Sequence, residues 1–325
     1  MSFYLVTGGA GFIGSHLVDG LLARGHRVRV LDDFSTGRRA NLDDAAELVV
    51  GDVANPDATR MSMRGVDGCF HLAAIASVVR GNEDWLGTNR VNLGGTIAVL
   101  DAARGEGGVP VVYASSAAVY GRLAGVAMES AAPMPLSAYG ADKLGSEMHA
   151  RAGFEVHGVP SVGFRFFNVY GQRQDPRSPY SGVISLFAAA LLARRPVCVH
   201  GDGLQTRDFV YVADIVAFLM GGMEKVATEP GALVLNACTG RETSVMGLVD
   251  TIGGLLQRRA VVTAGPARAG DIRRSVGSPA RASGVLGLDA RTSLQAGLER
   301  TLQDVGMGEI TALSRVSGVN SLERT

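Results

Sequence analysis

The chain has 325 residues, 46% of them hydrophobic and 19% charged, which supplies a large core and excludes a mainly disordered protein. Lys+Arg and Asp+Glu are both 31; this balance excludes nucleic-acid binding driven by bulk electrostatics, and no apolar run approaches the roughly 20 residues that span a bilayer. Cys69, Cys198 and Cys238 stand far apart without CxxC spacing, so neither a disulfide frame nor a metal site is expected.

The N-terminus runs directly into a strand pattern with no charged leader, and the expectation is a cytoplasmic protein. In chain order, "FYLVTG" (3–8), "RVRVLDD" (27–33), "AELVVGD" (46–52), "GCFHLAA" (68–74), "PVVYASS" (110–116) and "PSVGFRFFN" (160–168) predict strands. Residues 12–25, 89–105 and 139–157 between them have helical spacing and end near glycines. Apolar runs without strict alternation suit a parallel sheet covered on both faces, and the βαβα order predicts an α/β fold with a doubly wound sheet. After Gly171 comes a polar, Pro-containing loop, "GQRQDPRSPYSG", then an apolar helix near 183–194, the segments "PVCVHGDG", "RDFVYVADIV" and "LVLNACTG", and a helix near 244–257. The expected division is a dinucleotide-binding domain over 1–170, to which 205–240 partly return, a smaller α/β lobe over 171–305, and a tail over 306–325.

"VTGGAGFIGSH" sets Gly8, Gly11 and Gly14 between the first strand and a helix. Gly8 permits the tight turn, Gly11 lets backbone N–H groups approach a pyrophosphate, and Gly14 lets the helix pack close to the sheet. The second strand ends in Asp32 and Asp33; a carboxylate there accepts from both ribose hydroxyls of an adenosine and repels a 2′-phosphate, which favours NAD over NADP. Asp52 in "GDV" and Ala73 and Ala74 in "HLAA" fall at the C-terminal strand edge, where ligands of open parallel sheets bind. Asp52 is within reach of an adenine amine and the two alanines leave room for a dinucleotide, whereas His71 alone reads as a packed core histidine.

"YGADK" puts Tyr139 and Lys143 one helical turn apart. A phenol titrating near 10 is a poor base at neutral pH. A neighbouring ammonium and a nicotinamide cation are expected to lower that value. Ser116 at the preceding strand end can bond the same substrate oxygen.

The glycine loop, "LDDFSTG", "GDV", "HLAA", "SSAAVYG", "YGADK", "FRFFNVYGQRQ" and "GDGLQTRDFVYVAD" together resemble the extended short-chain dehydrogenases/reductases that act on nucleotide sugars, the NAD-dependent epimerase/dehydratase family, and its UDP-glucose 4-epimerase branch especially. The match runs from residue 1 to about 303. The resemblance implies that Tyr139 is the acid/base, Lys143 its electrostatic partner and Ser116 the hydroxyl holding the substrate oxygen. It implies cofactor contacts from Phe12, Ile13, Val53, Leu72, Asn92, Ser115 and Phe166 besides those above. Substrate contacts are implied for Asn168, Arg207, Arg268 and Asp271, the two arginines forking onto a diphosphate, and no metal is implied. Dimerisation through helices near 92–104 and 139–156 is implied as well.

In the sugar 4,6-dehydratases of this superfamily an Asp–Glu pair occupies the places of Ala117 and Ala118, and in the related decarboxylases the second is usually Glu. Alanine moves no proton. The chain therefore has the groups to oxidise one hydroxyl and reduce the ketone, and lacks a second acid/base, which is the pattern of C4 epimerisation of a UDP-hexose. In "GDIRRSVGSPARA", Ser275 takes the place of the residue that limits the hexose pocket in the family; its small side chain predicts room for a 2-acetamido group. A reductase or an epimerase of a dTDP- or GDP-sugar is the nearest alternative, and a non-catalytic NAD-binding regulator is a further one.

Overall fold

The computed structural model describes residues 1–174, 182–267 and 272–304. The loop at 175–181, Arg268, Asp271 and the tail expected over 306–325 lie outside them. The strands are β1 (Phe3–Thr7), β2 (Arg27–Asp32), β3 (Glu47–Val50), β4 (Gly68–His71), β5 (Val111–Ser116), β6 (Ser161–Phe166), β7 (Asn168–Tyr170), β8 (Val197–His200), β9 (Thr206–Arg207), β10 (Phe209–Tyr211), β11 (Ala232–Ala237), β12 (Thr243–Ser244), β13 (Val262–Gly265) and β14 (Arg274–Ser275). The helices are α1 (Phe12–Ala23), α2 (Pro56–Met63), α3 (Val78–Glu83), α4 (Trp85–Asn89), α5 (Gly95–Gly105), α6 (Ala138–His157), α7 (Val183–Leu192), α8 (Val212–Thr228), α9 (Val245–Leu255) and α10 (Ala280–Leu286).

Seven strands form one sheet in the order β11-β6-β5-β4-β1-β2-β3, and every neighbouring pair is parallel. Adjacent residues of a strand serve opposite faces. On β1, Val6 joins the core that includes Leu17 and Val18 of α1 and Phe218 and Leu219 of α8. Its neighbour Leu5 joins Met63, Val99 and Ala150 of α2, α5 and α6 on the other side. Helices cover both faces, which is the doubly wound arrangement expected from the apolar runs.

The helices α2, α3, α8 and α10 have no counterpart among those expected from the sequence. The segment "RDFVYVADIV", rich in β-branched residues, carries no element type in the sequence; there Phe209–Tyr211 is extended and Val212 opens the 17-residue α8. Tertiary packing against α1 and the sheet overrides local propensity there. α2 has no counterpart in the sequence reading; Asn55 caps it by accepting from the Asp57 and Ala58 amides, and Pro56 stands at its first turn.

The remaining strands make small ribbons, β10-β7, β12-β9-β14 and β13-β8. They surround a second core of Ile184, Phe187, Leu191, Val199, Leu248 and Ile252. These ribbons lie beyond the C-terminal ends of β5 and β6 in sequence and bring the 206–207 and 274–275 segments together.

Candidate active site

The loop from β1 to α1 is shaped by glycine. Gly8 has φ 70°, and a Cβ there would lie 2.7 Å from the Ala73 nitrogen. A Cβ on Gly14 would sit within 2.1 Å of the Gly8 carbonyl oxygen, so α1 packs against its own loop only without a side chain at that point. A Cβ on Gly11 would meet the Gly8 oxygen at 3.2 Å and nothing else within 4 Å. No side chain caps α1 and no acidic residue lies in its first turn. An uncapped helix start behind an open glycine loop is the cradle an anionic diphosphate requires, and the residues present fit a dinucleotide. Phe12 and Ile13, just inside that turn, pack against the second core.

Asp32 and Asp33 part company. Asp32 is buried, with Oδ2 accepting from the Ala10 amide at 2.9 Å and Oδ1 from Phe34 at 2.9 Å. Burial raises its pKa against those hydrogen bonds. Asp33 is exposed and bound to Ser35. Asp52 accepts from Ala54 and pairs with Arg90 at 2.7 Å, and Val53 beside it is buried against Gly95. Leu72 and Ala73 donate their amides to the Thr7 carbonyl and hydroxyl, holding the β4 end, and hence Ala74, beside the glycine loop.

Asn92 and Ser115, expected at the cofactor, have their polar atoms engaged within the protein. Asn92 is buried and brackets Ile75, accepting from its N–H and donating to its carbonyl. Ser115 Oγ donates to Glu147 at 2.5 Å. His71 is buried between Thr7 and Thr96, and burial together with the nearby Lys143 charge pushes its pKa down to about 3, so it is a neutral core histidine.

Ser116 closes β5, and Ala117 and Ala118 follow in the 3₁₀ turn Ala117–Tyr120. α6 begins directly beside this turn: Ser137 caps it by accepting from Gly140, and a Cβ at Gly140 would lie 2.8 Å from the Ala118 carbonyl oxygen. This close approach brings Tyr139 beside Ser116, whose hydroxyl acts to lower the phenol's pKa. Lys143 is buried, donates Nζ to the Ala114 carbonyl at 2.8 Å and lies 5.9 Å from the centre of the Tyr139 ring.

The expectation of a lowered Tyr139 pKa is corrected for the protein chain alone: burial pushes it up, and the Ser116 hydrogen bond draws it back only in part. Burial likewise brings Lys143 down to about 8, with Asp142 acting to raise it.

On the substrate side, Arg207 and Ser275 are register partners in the β9–β14 pair. Ser275 lines a cleft with Ala117, Tyr120 and Phe167. The Arg207 guanidinium donates to the carbonyls of Thr206 and Ile272. Asn168 opens β7 opposite Phe209, two residues beyond the buried Phe166. Asp208 was not singled out from the sequence. It is buried and accepts from Thr239, Gly240 and Gly277, thereby pinning the segment that carries Ser275. An acidic residue inside the apolar run "RDFVYV" was the available signal. Among the described residues no group of three or more His, Cys, Asp or Glu is placed to hold a metal ion, and no helix is long and apolar enough to cross a membrane.

Residues 4–238 match the NAD dependent epimerase/dehydratase family. A UDP-glucose 4-epimerase of Mycolicibacterium smegmatis is 38% identical over 308 residues, covering 92% of this chain and 97% of that protein. The structure of a Thermotoga maritima UDP-glucose 4-epimerase with UDP-glucose superposes with a TM-score of 0.90 at 32% identity, covering 94% of this chain and 99% of that one. A UDP-N-acetylglucosamine 4-epimerase of Methanobrevibacter ruminantium in complex with UDP-N-acetylmuramic acid gives 0.89 at 30% identity, with coverage of 94% and 99%. Decarboxylases and dehydratases of nucleotide sugars are also among the similar proteins. With the glycine cradle, the buried Asp32 and the Ser116–Tyr139–Lys143 cluster in one frame, the chain belongs to the NAD-dependent epimerase/dehydratase family.

Proposed function

We propose that the protein is an NAD-dependent 4-epimerase of UDP-hexoses, interconverting UDP-glucose with UDP-galactose and UDP-GlcNAc with UDP-GalNAc through a 4-keto sugar. The observation that carries this reading is the pair Ala117 and Ala118 immediately after Ser116, with Ala117 lining the cleft. One phenol and one hydroxyl stand there to serve a single substrate oxygen, and the next two side chains cannot donate or accept a proton. Dehydration or decarboxylation needs a further group at that turn; inversion at C4 does not.

NAD, when bound, supplies the hydride acceptor and donor. The chain's own residues do the rest. The α1 start holds the diphosphate and Asp32 the adenosine ribose. Lys143 holds the nicotinamide ribose and places a positive charge near Tyr139, and Tyr139 takes the proton from the 4-hydroxyl and returns it, with Ser116 fixing the oxygen. Asn168, Arg207 and Arg268 anchor the nucleotide diphosphate and Asp271 reaches the nucleoside, so that binding energy falls on the part of the substrate that does not react while the hexose is free to turn. The chain acts as a homodimer through α5 and α6.

Incubation with a panel of UDP- and dTDP-hexoses, followed by NMR, should show C4 inversion of the UDP-sugars. Formation of a 4-keto-6-deoxy sugar or of a decarboxylated pentose would sink the reading. A Ser275→Tyr variant should lose activity on the acetamido pair by at least ~10-fold while keeping the glucose pair, since a bulky ring fills the space beside Ala117.

A further inference from the structure

Tyr139, Lys143 and Glu147 stand four residues apart on α6, and all three reach the end of β5. Lys143 Nζ bonds the Ala114 carbonyl at 2.8 Å and Glu147 Oε1 accepts from Ser115 Oγ at 2.5 Å, while the close approach of Gly140 to the Ala118 carbonyl sets Tyr139 beside Ser116. Consecutive residues of one strand are thus tied to successive turns of one helix. The first two rungs belong to the proposed chemistry; the third moves no proton to the substrate.

Glu147 is also paired in two places with Arg165 of β6, Nε to Oε1 at 2.9 Å and Nη2 to Oε2 at 2.7 Å, and the two side chains are only 4% and 5% exposed. Arg165 is the register partner of Ser115. Its guanidinium lies 4.6 Å over the ring of Tyr120, and its Nη1 is buried without a hydrogen-bond acceptor, so the aromatic face is its remaining neighbour. Tyr120 lines the cleft beside Ala117 and Ser275. Its hydroxyl donates to Asn236 Oδ1 at 2.7 Å, and Asn236 Nδ2 donates in turn to the carbonyls of Ala127 at 2.9 Å and Ser278 at 3.4 Å.

A buried ion pair adds little stability over apolar residues of the same volume. A two-point fork does fix direction, because its planar geometry matches the carboxylate in one orientation. Resting on the 4-epimerase reading, the structure assigns Glu147 and Arg165 as positioning residues: they hold the end of β5 against α6 so that Ser116 and Tyr139 share one substrate oxygen, and through Tyr120 and Asn236 they fix the hexose wall of the cleft to the same frame.

The test uses the holoenzyme with UDP-glucose and UDP-GlcNAc and three variants. Ser115→Ala removes the third rung and leaves the ion pair in place. Glu147→Gln with Arg165→Met replaces the pair by an uncharged one, and Arg165→Lys keeps the charge without the fork. For Ser115→Ala, kcat should fall by about 3- to 10-fold with KM within about twofold, and for the double variant by about 30-fold or more, as small misplacements of reacting groups cost rate rather than binding. Arg165→Lys should fall between them.

A second readout needs no substrate. The tyrosinate ultraviolet difference spectrum, taken against Tyr139→Phe, should titrate at higher pH in Ser115→Ala and in the double variant, because a loosened Ser116 bond no longer favours the phenolate. Wild-type kcat with an unmoved tyrosinate titration in Ser115→Ala and Arg165→Lys overturns the assignment, whatever the melting temperatures, and these two variants decide the matter if the double variant does not fold. Absence of C4 inversion in the unmodified enzyme would instead remove the reaction, leaving the tyrosinate titration to judge the pair.

Discussion

Burial holds the Lys143 ammonium down to about 8, against the pull of the neighbouring Asp142 carboxylate, and this sets two pH dependences of opposite sign. The proposed role needs the charged form, so the part of the activity that depends on Lys143 should be complete below about pH 8 and decline as pH rises through it. Stability runs the other way. The folded state releases its proton near 8 and the unfolded chain near 10.4, so between those values the unfolded state binds more protons and stability rises with pH. The burial penalty, on the order of 3 kcal/mol, is fully present below pH 8 and relieved over that window. Rate profiles and thermal melts from pH 7 to 10.5 check both signs, and a Lys143→Met variant should have lost the melt's dependence as well as the activity. The pairing of Tyr139 with Lys143 was legible in the sequence because four-residue spacing puts two side chains on one helix face. The direction of the Tyr139 shift was not, because it depends on how deeply the hydroxyl is enclosed by segments remote in the chain.

The β1–α1 turn separates two roles that a glycine motif alone does not. Gly14→Ala drives a methyl group into the Gly8 carbonyl, Gly9 and the backbone between them, and overpacking against backbone costs about 1–3 kcal/mol. Gly11→Ala meets only the Gly8 oxygen, at 3.2 Å, on the open side of the loop. Gly14→Ala should therefore lower the melting temperature of the protein stripped of cofactor and weaken NAD binding together. Gly11→Ala should leave the stripped protein's melting temperature nearly unchanged and still weaken NAD binding by about tenfold or more, since the methyl group occupies the approach of the diphosphate. Calorimetric titration with NAD and melts of the stripped protein decide it; equal losses of stability in the two variants would reverse the assignment. Elements built on local signals, such as β1, α1 and β2, were readable from strand–glycine–helix order. α8 was not, because Val212, Ile215 and Val216 have the composition of a strand and become helical only where α1 and the sheet offer an apolar face.

At the scale of the whole molecule, the substrate side is assembled from segments that no local pattern joins: Arg207 and Ser275 become neighbours through a two-residue parallel pairing, and Asp208 gathers Thr239, Gly240 and Gly277 around them. A second surface is presented by α5 and α6. These two helices pack on each other and on the sheet, yet Ile97 on α5 and Met148 on α6 stay 39% and 56% exposed. Small residues, Ala141, Gly145 and Ala152, lie near Met148 at helical spacing on α6, so a second helix pair can approach closely. Around a two-fold axis every residue of this face meets the same surface on the partner, and a single substitution is presented twice. Ile97→Glu with Met148→Glu would set carboxylates into such an interface without disturbing the core, because both side chains already face outward. In sedimentation velocity at micromolar concentration the unmodified chain should run as a dimer and the double variant as a monomer. The monomer should still bind NAD, because the glycine cradle and Asp32 come from one chain. A double variant that sediments as a dimer would remove α5 and α6 from the interface.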